Sequence, residues 1–320
     1  MSHSIGVDVG GTKILAGLVD ADGTVVSTAR RETPRKDADA VLGVVAEAIG
    51  ELSDAVSGDV VGVGLGVAGP VDAEMATVFF APNLGWSQVP VRDILERQVS
   101  MPVVVENDGN TAAWGEFRFG AGADVDELVM VTVGTGIGGG IVVGGSLLRG
   151  AHGAAGEIGH MTVILNGLPC GCGRYGCWEQ YASGNALVRE ARVLAETRPD
   201  DAAALLALGD GTPQGVQGLH VTQAAADGDP VAMEAFHVAG TWLGRGLASL
   251  CAILDPGTFV IGGGVSEAGD LLLDSTRTAL GQSLSGRQQR PMPDLRVATL
   301  GNNAGLIGAA DLARAAAADR

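Results

Sequence analysis

Ile5, Val7 and Val9 alternate with Gly6 and Asp8, the period-two pattern of a strand with one buried face. Gly10-Gly11-Thr12-Lys13 interrupts the pattern, and a second apolar run reaches Val19. Asp20-Ala21-Asp22-Gly23 is a hairpin turn signal, and Thr24–Thr28 is predicted as a third strand. Further on, the spacing predicts a helix over Ala38–Leu52 and a strand over Val60–Val67, broken at Gly66-Val67-Ala68-Gly69-Pro70. Asn83-Leu84-Gly85-Trp86 reads as a loop and Val91–Gln98 as a helix. Val103–Glu106 is a short strand ending in Asn107-Asp108, and Thr111–Arg118 is the next helix.

The opening pattern then recurs. Leu128–Val133 is a strand, Gly134–Gly140 a glycine loop, Ile141–Val143 a strand, Gly144-Gly145 a turn and Ser146–Arg149 a third strand. Strand, glycine turn, strand, tight turn, strand thus appears twice, about 125 residues apart, as two related domains would show it. Helical spacing follows at Ala182–Thr197, Val231–Leu254, Ala268–Gln282 and Ala304–Ala317. Strands are predicted at Thr258–Ile261, leading into Gly262-Gly263-Gly264, and at Leu295–Thr299. Residues 199–230, rich in Gly, Asp, Pro and Gln, read as a surface excursion.

The chain has 320 residues, 46% of them hydrophobic, enough apolar material for two domains or one large one. Its 51 glycines show no collagen period and cluster after apolar runs. A net charge of −17 excludes nucleic acid and a membrane surface as partners, because both call for a basic patch. An anionic substrate then needs a local device: backbone amides, a lysine or a divalent cation. Val129–Leu148 is uncharged and long enough to cross a bilayer, but its seven glycines argue against a spanning helix. Met1–Ser4 leads straight into a strand, so no signal peptide is expected.

Three of the four cysteines, Cys170, Cys172 and Cys177, fall within eight residues, and His160 stands ten residues before the first. Three thiolates and one imidazole complete a tetrahedral zinc set with no position left for water, which points to a structural ion. The alternative is three free thiols in a glycine-rich loop, or one disulfide and a spare thiol. Thiols used for metal imply a cytoplasmic location. Closing such a site would hold two nearby carboxylates, Glu157 and Glu179, in place.

Glycine turns after strands let backbone N–H groups approach phosphate without a Cβ in the way. Gly10-Gly11, Gly134–Gly140 and Gly262–Gly264 are three such turns, and the first two have Thr12 and Thr135 beside them. Gly134–Gly139 fits G-x-G-x-x-G but leads into a strand rather than a helix, so the dinucleotide-binding context fails. Asp8, at a strand end, suits placement of Mg2+ on a nucleotide's phosphates, and Lys13 suits a phosphate. Asp108, delivered by a strand to a cleft, is the candidate general base for a sugar hydroxyl attacking a γ-phosphorus. The alternative is that Asn107-Asp108 caps the following helix.

Together these stretches resemble the ROK family, and within it the bacterial ROK glucokinases. The likeness rests on Asp8–Lys13, Gly66–Asp72, Pro82–Trp86, Glu106–Asp108, Gly134–Gly140, Glu157–His160, Cys170–Cys172, Gly176–Glu179 and Ile261–Gly264, and it spans nearly the whole chain. It implies a two-domain α/β fold of the actin/hexokinase/Hsp70 (ribonuclease H-like) type with a zinc-binding insertion. The expected domains are 1–118 plus 303–320, and 119–302. It implies ATP with Mg2+ as donor, a structural Zn2+, and glucose or a related hexose as acceptor, in a homodimer or homotetramer. By the resemblance Asp108 is the catalytic base, and Asn107, Glu157, His160 and Glu179 bind sugar hydroxyls, with Gly69 and Asn83 close by. Gly10, Gly11, Thr12, Lys13, Gly134, Thr135 and Gly136 belong to the phosphate turns, and Gly262, Gly263 and Gly264 lie beside the adenosine. His160 would serve zinc with one ring nitrogen and sugar with the other. Another hexose, polyphosphate as donor, or a sugar sensor without catalysis are the alternative readings.

Overall fold

The computed structural model describes residues 2–34, 37–56 and 58–318. The chain opens with β1 (His3–Val9), β2 (Lys13–Val19) and β3 (Val25–Glu32), then α1 (Ala38–Asp54) and β4 (Val60–Val67). A hairpin of β5 (Val78–Ala81) and β6 (Trp86–Val89) follows, then α2 (Val91–Val99), β7 (Val103–Asn107) and α3 (Asp108–Phe119). The second series is β8 (Leu128–Val133), β9 (Ile137–Val143) and β10 (Ser146–Leu147). After it come α4 (Glu179–Ala182), α5 (Gly184–Thr197), α6 (Ala203–Leu208), α7 (Gly218–Ala226) and α8 (Pro230–Leu254). The chain closes with β11 (Thr258–Gly262), α9 (Asp270–Ser283), β12 (Asp294–Val297) and α10 (Ala304–Ala318).

Two five-stranded sheets have the orders β3-β2-β1-β4-β7 and β10-β9-β8-β11-β12. Position for position these are one topology, so the recurrence seen in the sequence is a recurrence of fold. By contacts the chain forms two compact units: Met1–Met130 with Gly139–Gly156 and Ala298–Arg320, and Val131–Gly138 with Glu157–Val297. These limits differ from the division at 118/119 and 302/303 drawn on the motifs, because the chain changes unit within β8 and again within β9.

In the first unit, alternation on β1 and β4 buries Ile5, Val7, Val63 and Leu65 against α1, whose Val41, Leu42, Val45 and Ile49 are fully buried. The other face of the sheet carries α10. There a Cβ on Gly6 would lie 1.7 Å from Leu306 O, and one on Gly64 1.9 Å from Ala309 O. Helix and sheet backbones therefore touch, and glycine is required by close approach. In the second unit α8 is capped by the Asp229 carboxylate, which accepts from Val231 N and Ala232 N, with Pro230 in the first turn. These are the residue types a helix start prefers.

Several expectations are corrected. Residues 199–230 are no surface excursion: they hold α6 and α7, bury Leu205, Val216 and Val221, and pack on α5 and α8. Their alanines and leucines outweigh the polar composition that suggested a loop. Asn83–Trp86 is the turn of the β5–β6 hairpin, with Trp86 already in β6 and buried. Residues 137–140 of the glycine loop belong to β9, which shortens the loop to Gly134-Thr135-Gly136. The helix expected from Thr111 begins at Asp108.

Candidate active site

In the first unit, register brings the site residues to one edge. Along the parallel strands β1, β4 and β7, Asp8 pairs with Gly66 and Gly66 with Glu106; Val67 pairs with Asn107. Asp8, Gly66–Gly69 and Glu106–Asp108 therefore gather at the carboxyl ends of three parallel strands, where open α/β sheets place ligands. Lys13 and Thr12 stand exposed in the turn that enters β2. That turn is closed by Gly10 N–H donating to Lys13 O at 2.9 Å and braced by Thr33, whose hydroxyl donates to Gly10 O at 2.7 Å. A Cβ on Gly11 would stand 3.1 Å from the Asn83 Cβ, so the first glycine turn lies against the exposed hairpin tip.

Asn107 is the cap of α3. Its Oδ1 accepts from Gly109 N at 2.9 Å and Asn110 N at 3.1 Å, and its Nδ2 donates to Gly69 O at 3.2 Å. The capping alternative thus falls to Asn107, and Asp108 is left for other work. One Nδ2 hydrogen of Asn107 stays available to a ligand. Asp108 Oδ1 accepts from Gly109 N at 2.9 Å. Its Oδ2 has no hydrogen bond among the described residues. Solvent reaches the carboxylate, but burial pushes its pKa up, against the pull of the Gly109 N–H. Asp8 is pushed up to about 6 by burial and by the charge of Asp108, with Lys13 pulling the other way. A base whose pKa moves toward the working pH transfers protons more effectively.

In the second unit, Gly134 N–H donates to Gly136 O at 3.0 Å, and Thr135 at the tip is exposed. A Cβ on Gly136 would come within 2.6 Å of Glu179 Oε2, so the second glycine turn and Glu179 are neighbours. Gly262 ends β11, Gly263 and Gly264 are exposed, and Ser266 donates its hydroxyl to Gly263 O at 2.7 Å.

His160, Cys170, Cys172 and Cys177 present ligand atoms all within 4.8 Å of one another. His160 Nδ1 lies 3.6 Å from Cys170 Sγ, and Cys172 Sγ lies 3.7 Å from Cys177 Sγ. Zinc–sulfur bonds of about 2.3 Å and a zinc–nitrogen bond of about 2.0 Å give tetrahedral edges of roughly 3.8 and 3.6 Å. The two measured edges therefore fit a zinc ion, and all four cysteines are free thiols. Glu157 and Glu179 flank the imidazole: Glu157 Oε2 is 3.9 Å from Nε2, and Glu179 Oε1 is 3.8 Å from Nδ1. Glu179 Oε1 also accepts from Cys170 Sγ at 2.9 Å. Burial pushes the Cys170 thiol up to about 12, so without a metal it stays protonated and keeps this bond. A bound zinc ion would hold the thiolate instead. Just before Glu179, Trp178 is fully buried, and its Nε1–H donates to Trp242 O on α8 at 2.8 Å.

Two residues escaped the sequence reading. Glu106, 2% exposed, accepts from Asn107 N at 2.9 Å, Asn110 Nδ2 at 3.0 Å and Arg149 Nε at 2.5 Å. Arg149 lies 43 residues further along, and no local pattern marks such a pair. A buried carboxylate next to the candidate base was the available signal for one half of it.

The model of the ROK family matches residues 4–316. A glucokinase of Streptomyces coelicolor is 49% identical over 314 residues, covering 98% of both chains. The crystal structure of a ROK family glucokinase from Streptomyces griseus, in complex with glucose and AMPPNP, superposes with a TM-score of 0.88. It is 50% identical and covers 98% of this chain and 99% of its own. The ROK hexokinase of Thermus thermophilus superposes at 0.81 with 35% identity, over 99% of this chain and 100% of its own. The fold is the α/β sugar-kinase fold of these proteins, and the chain belongs to the ROK family.

Proposed function

We propose that this protein is an ATP-dependent glucokinase: glucose and ATP give glucose 6-phosphate, ADP and a proton. Near-full-length similarity to glucokinases, one of them holding glucose and an ATP analogue, supports the reaction. The observation that carries the mechanism is Asp108, a carboxylate at the end of β7 with Oδ1 tied to Gly109 N and Oδ2 uncommitted. Oδ2 takes the proton from the sugar 6-hydroxyl as that oxygen attacks the γ-phosphorus. The bond from the γ-phosphorus to the bridging oxygen breaks, and ADP leaves with the electron pair.

On the family likeness, Asn107, Glu157, His160 and Glu179 hold the sugar hydroxyls, with Gly69 and Asn83 near the sugar. Their service is orientation, which favours transfer to the sugar over transfer to water. The amides and side chains of Gly10, Gly11, Thr12, Lys13, Gly134, Thr135 and Gly136 receive the phosphates, and Gly262–Gly264 the adenosine. Asp8 would hold Mg2+, which neutralises phosphate charge. His160, Cys170, Cys172 and Cys177 hold zinc, the imidazole giving Nδ1 to the metal side and leaving Nε2 toward Glu157 and the sugar. A cytoplasmic location rests on thiols kept as ligands. Assembly as a homodimer or homotetramer rests on the family likeness alone.

The test is ADP release by zinc-replete protein with MgATP and glucose, mannose, fructose, N-acetylglucosamine or N-acetylmannosamine. Glucose should give the highest kcat/KM. Preference for another hexose would move the assignment to that sugar; silence with all five would reject ATP as donor and turn the test to polyphosphate, and silence there too would leave the sugar sensor. Asp108→Ala should lose turnover and still bind glucose; retained turnover would remove Asp108 as base.

A further inference from the structure

The carboxylate of Glu106 joins three segments of the first unit. Its Oε1 accepts from the N–H of Asn107, the residue that links it to Asp108, and from the side-chain amide of Asn110 in the first turn of α3. Its Oε2 accepts from Arg149 Nε. Arg149 in turn closes a loop, because its carbonyl accepts from Ala155 N at 3.0 Å. The loop turns on Gly150, Gly153 and Gly156, all with positive φ, and runs into Glu157. A Cβ on Gly153 would lie 2.0 Å from Val71 O, so the loop is seated on the segment following β4.

Removing a carboxylate from water costs several kcal/mol, which one buried ion pair barely offsets. Stability alone gives little reason for this charge at a site only 2% exposed. Geometry gives a better one. With Asn107 N–H held by Glu106 and Gly109 N–H held by Asn107, the peptide that enters Asn107 and the peptide that leaves Asp108 are both fixed, and Asp108 stands between them.

We propose that Glu106 is a positioning residue for phosphoryl transfer, aiming Asp108 through the β7–α3 junction and tying the Arg149–Gly156 loop to that junction. The proposal rests on the reading of Asp108 as base. A displacement of the base by a fraction of an ångström lowers the rate of the chemical step and leaves nucleotide binding alone.

The experiment compares wild type, Glu106→Gln, Arg149→Gln and the double variant by kcat, KM for ATP and for glucose, and Tm. Glutamine preserves the volume and one acceptor but replaces the other with a donor and forms no ion pair, so it cannot serve both the Asn107–Asn110 side and Arg149. Glu106→Gln is expected to lower kcat by about 10-fold or more, with KM for ATP within about twofold and a folded protein by Tm. Arg149→Gln should lower kcat in the same sense. The double variant should lose no more than the worse single one, since both break one contact. A folded Glu106→Gln protein with wild-type kcat, or losses that multiply in the double variant, would overturn the proposal. If Glu106→Gln fails to fold, Arg149→Gln decides alone, and unchanged kcat would then overturn it. Wild type without turnover on any sugar, with MgATP or with polyphosphate, would instead reject the underlying kinase reading, and this inference with it.

Discussion

Asp8 and Asp108 stand in one unit at the carboxyl ends of β1 and β7, with β4 between them. The charge of Asp108 adds to burial in making ionisation of Asp8 harder, since like charges and burial both favour the neutral acid. The folded protein therefore holds Asp8's proton more tightly than the unfolded chain does. As pH rises from the ordinary aspartate value near 4 through about 6, ionising Asp8 removes stability; above that the cost is constant. Asp8→Asn should consequently melt higher than wild type at pH 7.5, by roughly 1–3 °C, and at the same temperature at pH 4. A melting difference independent of pH would refute this, whereas loss of turnover at every pH belongs to the same substitution. Cys172 is the exposed member of the thiol set. Cys172→Ala should release zinc, since structural sites need their full ligand set. It should raise KM for glucose through the freed Glu157 and Glu179 while KM for ATP stays put. Normal glucose affinity in zinc-free protein would cut the link between metal and sugar.

Among the elements, α8 does the least obvious service. A Cβ on Gly246 would lie 2.0 Å from the ring of Trp178, whose indole N–H is tied to the same helix. The helix thereby fixes the residue between Cys177, a candidate zinc ligand, and the carboxylate Glu179. Gly246→Ala should cost about 1–3 kcal/mol by overpacking, and should weaken glucose affinity more than ATP affinity. Equal effects on both would show that the clash is absorbed elsewhere. Such couplings explain what was legible in the sequence and what was not. β1, β4 and β8 were readable because buried strands run apolar to their ends, and Asp8, Asn107 and Thr135 because they break those runs. The His160–Cys170–Cys172–Cys177 cluster was readable because its members are unusual residues crowded together. The β5–β6 hairpin was missed because two four-residue strands flank a Pro-Asn-Leu-Gly turn that looks like plain loop. Arg149 was missed because its partner lies on another element, and pairing of that kind leaves no periodic trace.

At the scale of the molecule, the first unit is made from both ends of the chain, with the second inserted between its parts. Arg314 of α10 donates to Ser4 Oγ at 2.8 Å and Val19 O at 3.0 Å, so the last helix is stitched to the first strands. A chain ending at Asn303 should lose protease protection across β1–β7 and keep it across α5–α9. Equal protection of both regions would show that α10 is dispensable.

The same stitching sets an order on biosynthesis. A ribosome releases the strands of the first sheet before the second unit and α10 after it, so while the second unit is being made the glycines that meet that helix lack their partner. Domains usually fold in the order of their emergence; here the insertion is complete some twenty residues before the unit around it can be. Until then the emerging chain exposes the stretch of β1 and β4 that α10 will cover.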